Sequence, residues 1–168
     1  MCVISGPAEV KPPAGAEVVE VLNAADMYEA VMARVDACDV FIAAAAVADY
    51  RAENVSSKKL KRSDENVAVA LTSNPDIVAT MASKKRPGCK VVGFAAESDD
   101  ILVHAAAKLK KKHLDMIVAN AVGGEKDAIG ADASEAWLLL PNQGPESQGC
   151  IKKAVLASRI FDRIRGLQ

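Results

Sequence analysis

The chain has 168 residues, enough for one compact domain around a single core and too few for two of ordinary size. Hydrophobic residues make up 51% but aromatics only 4%; alanine and valine fill the difference, which suits helices packed closely on a sheet and favours an α/β fold. With 21 basic and 22 acidic residues the net charge is -1, so no global field holds the chain on nucleic acid or on an anionic membrane, and any anion site must be local.

Cys2, Cys38, Cys89 and Cys150 are scattered, without a C-x-x-C pair or a histidine at zinc spacing, which argues against a metal centre or a disulfide framework. The longest apolar stretch, residues 40–47, is far too short to cross a bilayer, and residues 1–15 carry no signal-peptide pattern. A reduced cytoplasm is the expected location.

Along the chain, short apolar runs alternate with longer segments of 3.6-residue period, the mark of β-α-β units around a mostly parallel sheet. Residues 2–5 are a predicted strand ending at Gly6-Pro7, and residues 17–22 a second. Asn23 stands as N-cap of a helix over 24–37, whose Met27, Val31 and Val35 share a face. Residues 39–44 read as a buried strand. Residues 45–65 lack either period and carry Lys58, Lys59, Lys61 and Arg62, which makes a long basic loop; loops of that length in compact domains usually serve function or are disordered. Residues 66–72 alternate through Val67, Val69 and Leu71 as a half-exposed strand, antiparallel or peripheral. Asn74-Pro75-Asp76 opens a helix to Lys84, with Asn74 or Ser73 as cap and Pro75 at the first helical position.

Strand 90–94, helix 99–112 and strand 116–119 form the clearest β-α-β unit. A Gly/Asp-rich loop over 123–134, a strand at 136–140, a turn-rich stretch at 141–149 and an amphipathic helix over 151–165, apolar through Val155, Ile160 and Ile164, complete the chain. The expected fold is a three-layer α/β/α arrangement with a mostly parallel, Rossmann-like sheet. A peripheral antiparallel pair is expected from 66–72 and 136–140, both suited to pairing outside the main sheet.

Ligands bind open parallel sheets at the C-terminal strand ends. Small side chains from Ala45 to Ala48 admit a ligand close to the backbone, and Asp49 offers a carboxylate for a ribose hydroxyl or a phosphate-bound metal ion, although alone this is an alanine-rich strand edge with a solvated acid. Lys58 to Arg62 suits closure over a polyphosphate, yet such a run is ordinarily a solvated loop. Phe94 stacks on a base or sits in the core. Lys108 and Lys112, spaced i,i+4, share a helix face that reaches a common anion or merely solubilises the helix. His104 and His113 have no Ser or Cys partner at a recognisable spacing, and neither G-x-G-x-x-G nor G-x-x-x-x-G-K-[ST] occurs.

In chain order, however, A-A-V-A-D-Y-R from Ala45, the K-x-K-R cluster from Lys59, T-S-N-P-D-I from Thr72, G-F-A-A-E from Gly93 and K-L-x-x-K-x-x-D-x-I-V-A-N from Lys108 form a specific series. It closely resembles the bacterial phosphopantothenoylcysteine synthetase family, often the C-terminal half of a bifunctional protein whose other half is a flavin-dependent phosphopantothenoylcysteine decarboxylase. The resemblance spans essentially the whole chain and is densest from Ala43 to Asn120.

That resemblance implies one ligase domain over residues 1–168. It would activate the carboxylate of 4'-phosphopantothenate with CTP and Mg2+ as an acyl-cytidylate, which the cysteine amine then attacks, all in a homodimer built on the strands at 66–72 and 136–140 with the basic loop near the interface. It implies Lys59 as the catalytic, charge-stabilising residue, and Ala45, Asp49, Lys59, Asn74, Phe94, Lys108 and Lys112 as nucleotide contacts; metal ligands are unassigned. Arg62 replaces the family's last loop lysine, keeping charge but changing geometry. The family's N-terminal Gly-Gly-Thr and Asn-x-Ser-Ser-Gly segment is not found ahead of Gly6-Pro7, so weak nucleotide binding with poor turnover is expected. A nucleotide-binding or dimerising relative with impaired catalysis, and a Rossmann-type oxidoreductase, are the competing readings.

Overall fold

Val91, Val92 and Ala95 in one apolar run and Met116 to Ala119 in the next are all at most 2% exposed. Continuous burial of this kind belongs to strands covered on both faces, the signature of parallel sheets. In the computed structural model these runs are β6 (Lys90–Glu97) and β7 (Met116–Ala121), the centre of a five-stranded sheet. The structure describes residues 1–168 except 9, 60, 63–65, 123–131 and 168. They form two compact units, one of Met1–Met32 with Ala45–Ile77 and the other of Ala33–Ala44 with Val78–Gln168.

In the first unit β1 (Cys2–Ser5) pairs in parallel with β2 (Glu17–Glu20). Asn23 caps α1 (Ala24–Met32) as its sequence position predicts: its Oδ1 accepts from the Ala25 and Asp26 amides, each at 2.9 Å. The helix stops short of the predicted 37; residues Val35–Ala37 form a 3-10 turn instead. β4 (Tyr50–Ala52) and β5 (Leu71–Ser73) make a short antiparallel pair. This is the predicted peripheral pair in part only. Its second strand is confined to the end of the 66–72 alternation, because Val67 and Val69, 73% and 67% exposed, find no packing partner that would hold them in a strand.

The second unit carries β3 (Val40–Ala43), α2 (Ile77–Lys84, of which Ile77 falls in the first unit), β6, α3 (Ile101–Lys111), β7, β8 (Ala133–Leu139), β9 (Glu146–Lys152) and α4 (Lys153–Arg165). The sheet order is β3-β6-β7-β8-β9, with β3-β6 and β6-β7 parallel and the last two pairings antiparallel. The strand predicted at 136–140 therefore lies inside the main sheet and not in a peripheral pair. Its neighbour β9 occupies residues read from sequence as turns and the start of the last helix, so α4 begins two residues later.

Alternate residues of the strands point to opposite faces. Val92, Met116, Val118, Ala136, Leu138 and Ile151 meet Leu156, Ile160 and Ile164 of α4 in one cluster, with Ile42 and Phe94 packed against it. α3 lies against β6 and β7 and buries Ala105 and Leu109, completing helix, sheet and helix layers. Gly93 marks the tightest approach in β6: a Cβ there would stand 2.8 Å from Leu114 Cδ1, so the residue leading into β7 seats on a bare backbone.

Asp115 fastens that same corner. Its carboxylate pairs with Lys85 and accepts the Val91 amide at 2.7 Å, while its own amide donates to Val91 O at 3.0 Å. Next to it the buried Cys89 thiol is pushed up to about 11 by desolvation and by the neighbouring Cys38 thiol, so it stays protonated at neutral pH. Replacing Asp115 by Ala strands the buried Val91 amide and the Lys85 ammonium together. We expect Asp115→Ala to lose about 2 kcal/mol of unfolding free energy in urea titration; a change below about 0.5 kcal/mol would contradict the anchoring role.

Candidate functional site

In the first unit the segment after Ala44 is fixed by Asn74. Its amide donates to Asp49 O at 2.8 Å and its Nδ2 donates to Ala48 O at 2.8 Å. Its Oδ1 accepts from Arg51 Nη1 at 3.1 Å, and the same guanidinium nitrogen reaches Ser73 O at 2.8 Å. The carboxamide holds Ala48 to Arg51, and α2 begins at Ile77, three residues further on.

Asn74, Ala46, Val47, Ala48 and Arg51 line an open cleft of about 620 Å3, together with Gly6-Pro7 and the first residues of α1. Ala45 and Asp49 flank its lining residues and are exposed. Lys59 is also exposed and lies outside the cleft lining; Ser56 Oγ shapes the loop before it by accepting from the Lys58 amide at 3.2 Å and donating to Lys58 O at 2.7 Å.

The second unit holds Phe94, Lys108 and Lys112. Phe94 is half-buried and packs on the core cluster, so its ring serves the core whether or not its remaining surface meets a ligand. Lys108 pairs with the Glu97 carboxylate at the end of β6, and His104 Nδ1 lies 3.5 Å from the second oxygen of the same carboxylate. Lys112, just past the end of α3, is half-exposed. His104, Lys108 and Lys112 follow one another at i,i+4 spacing down one side of the helix. On the next strand Asn120 Nδ2 donates to the buried Ser134 hydroxyl at 2.9 Å, opposite Ala96 in the register.

Glu97 was missed as a separate residue although it stands in the G-F-A-A-E motif. β6 continues to Glu97, past the predicted end at Phe94, which brings the acid to the strand terminus. His104 likewise carries a signal in lying one helical turn before Lys108.

A family model for the DNA/pantothenate metabolism flavoprotein C-terminal domain matches residues 1–167. The chain belongs to that family. The coenzyme A biosynthesis bifunctional protein CoaBC of Vibrio parahaemolyticus is 40% identical over 168 residues, covering 98% of this chain and 41% of the relative. Its counterpart in Bacillus subtilis is 42% identical over 165 residues, covering 98% and 40%. A crystal structure of the C-terminal domain of a CoaBC protein superimposes with a TM-score of 0.77 at 29% identity, covering 97% of this chain and 71% of that one. The chain thus spans about two-fifths of the length of the curated relatives it matches. Family membership accounts for the motif series from Ala45 to Asn120 and for the Rossmann-like α/β/α fold.

Proposed function

We propose that this chain acts as the phosphopantothenate–cysteine ligase part of a coenzyme A biosynthesis enzyme. The carboxylate of 4'-phosphopantothenate attacks the α-phosphorus of CTP, forming an acyl-cytidylate and releasing pyrophosphate. The amine of cysteine then attacks the acyl carbon, an amide forms, and CMP leaves. Both steps load negative charge on phosphate oxygens, so the protein's task is to hold cations and dipoles where that charge grows, with no covalent nucleophile required.

The observation that carries this reading is Lys108, drawn to the C-terminal end of a central parallel strand, the edge where such sheets bind ligands. Lys108 and Lys112 are assigned to the nucleotide phosphates, Phe94 to the base, and Ala45, Asp49 and Asn74 to the nucleotide through the segment that Asn74 orders. Lys59, on its exposed loop, is assigned both to the bound nucleotide and to the charge that develops in the transition state. Among the described residues no three His, Cys, Asp or Glu side chains converge on a possible metal site. Mg2+ is assigned to the substrate, bound through the phosphates of CTP as this ion usually is, and no residue of the chain is assigned to it.

Two further assignments belong to the same proposal. The relatives are bifunctional and longer, which supports fusion to, or association with, a flavin-dependent phosphopantothenoylcysteine decarboxylase. Tyr50, Val67, Val69 and Leu71 are each more than 60% exposed on and beside the β4-β5 pair, which supports a homodimer built on that strand pair. The free state of the described cysteines suits a cytoplasmic enzyme, and no helix among the described residues is long and apolar enough to cross a membrane.

Calorimetric titration with magnesium CTP, with ATP as the comparison, tests the nucleotide assignment. CTP is expected to bind in preference to ATP, and Lys59→Ala to weaken it roughly tenfold, the scale of one lost charge-assisted contact. Absence of binding to either nucleotide would refute the proposal. Sedimentation velocity over a concentration series is expected to show a dimer that Val69→Lys shifts toward monomer; a monomer at every concentration would remove the dimer assignment.

A further inference from the structure

We propose that Glu97 is a positioning residue that holds the Lys108 ammonium at the C-terminal end of β6, ready for an anionic group of the nucleotide. The inference rests on the nucleotide reading above and deepens it.

Glu97 is the last residue of β6, and its side chain is 17% exposed, whereas those of Lys108 and His104 are 46% and 52% exposed. The backbone therefore fixes the carboxylate, and the long side chains of the helix reach back to it. Lys108 takes one carboxylate oxygen and His104, one turn earlier, faces the other. A carboxylate standing alone at a phosphate-binding edge would repel its ligand, so its presence there makes sense through the cation it holds.

A lysine ammonium has three donors, and a single bond to Glu97 leaves two for a ligand. Without the tether, binding would have to freeze the rotamer freedom of a long exposed side chain; with it, that ordering is already done. The rival role, a pair that only stabilises the fold, predicts something different. Half-exposed pairs contribute little to stability, so a structural role would show in neither ligand affinity nor its dependence on Lys108.

The test is a double-mutant cycle on the full chain, with magnesium CTP as titrant and Glu97→Gln, Lys108→Ala and the double variant compared with the unsubstituted chain. Thermal unfolding confirms that each variant is folded. Glu97→Gln is expected to weaken CTP binding roughly fivefold in the presence of Lys108. In the Lys108→Ala background the same substitution should cause no further loss and should recover part of the affinity, because the carboxylate left behind no longer has a cation to place. Equal losses in both backgrounds, or unchanged binding by Glu97→Gln, would overturn the positioning role while leaving the nucleotide assignment standing. No CTP binding by the unsubstituted chain would overturn both.

Discussion

Burial of β6 on both faces is the constraint from which the second unit follows. A strand covered on one side by α4 and on the other by α3 has no freedom of register, since a slip of one residue would exchange its two buried sets of side chains. That register ends β6 and β7 together, Glu97 opposite Ala121, while β3 stops at Ala43 opposite Gly93. Gly93 and Asp115 hold the opposite corner, one by leaving room for Leu114 and the other by taking the Val91 amide and the Lys85 ammonium. With both ends of β6 fixed, Glu97 emerges at a defined point beside the first turns of α3.

The two units use the same economy in their candidate functional segments: a polar side chain is spent on placing a neighbour. Asn74 uses its carboxamide to order Ala48 to Arg51, and Glu97 uses its carboxylate to gather Lys108 and His104. Pre-placed groups of this kind suit a reaction that needs oriented charge and no protein nucleophile, since the ordering is complete before substrate arrives.

Much of this was legible beforehand because the relevant signals are local. The apolar run at 90–94, the helical period through 99–112 and the second run at 116–119 define β6, α3 and β7 to within a few residues, and Asn23 announces α1 as its cap. What escaped depended on partners distant in sequence. β9 hides in a turn-rich stretch because it alternates polar and small residues, contains Gly149 at φ 64° and pairs with β8 across a register shift. Strand β4 has only three residues and exists by virtue of β5. The bond from Asn74 Nδ2 to Ala48 O joins residues 26 apart in sequence and has no local signal. The candidate site residues were named from the order of motifs, while the pairing of Glu97 with Lys108 required the length of β6 and the phase of α3 together.

The most direct measurement is hydrogen–deuterium exchange of the full chain with and without magnesium CTP. The account predicts slowed exchange at the end of β6 and the start of α3, and through the Ala45 to Arg51 segment with Asn74, while α4 and β9 remain unchanged. Protection confined to α4 and β9, or none at saturating CTP, would contradict it.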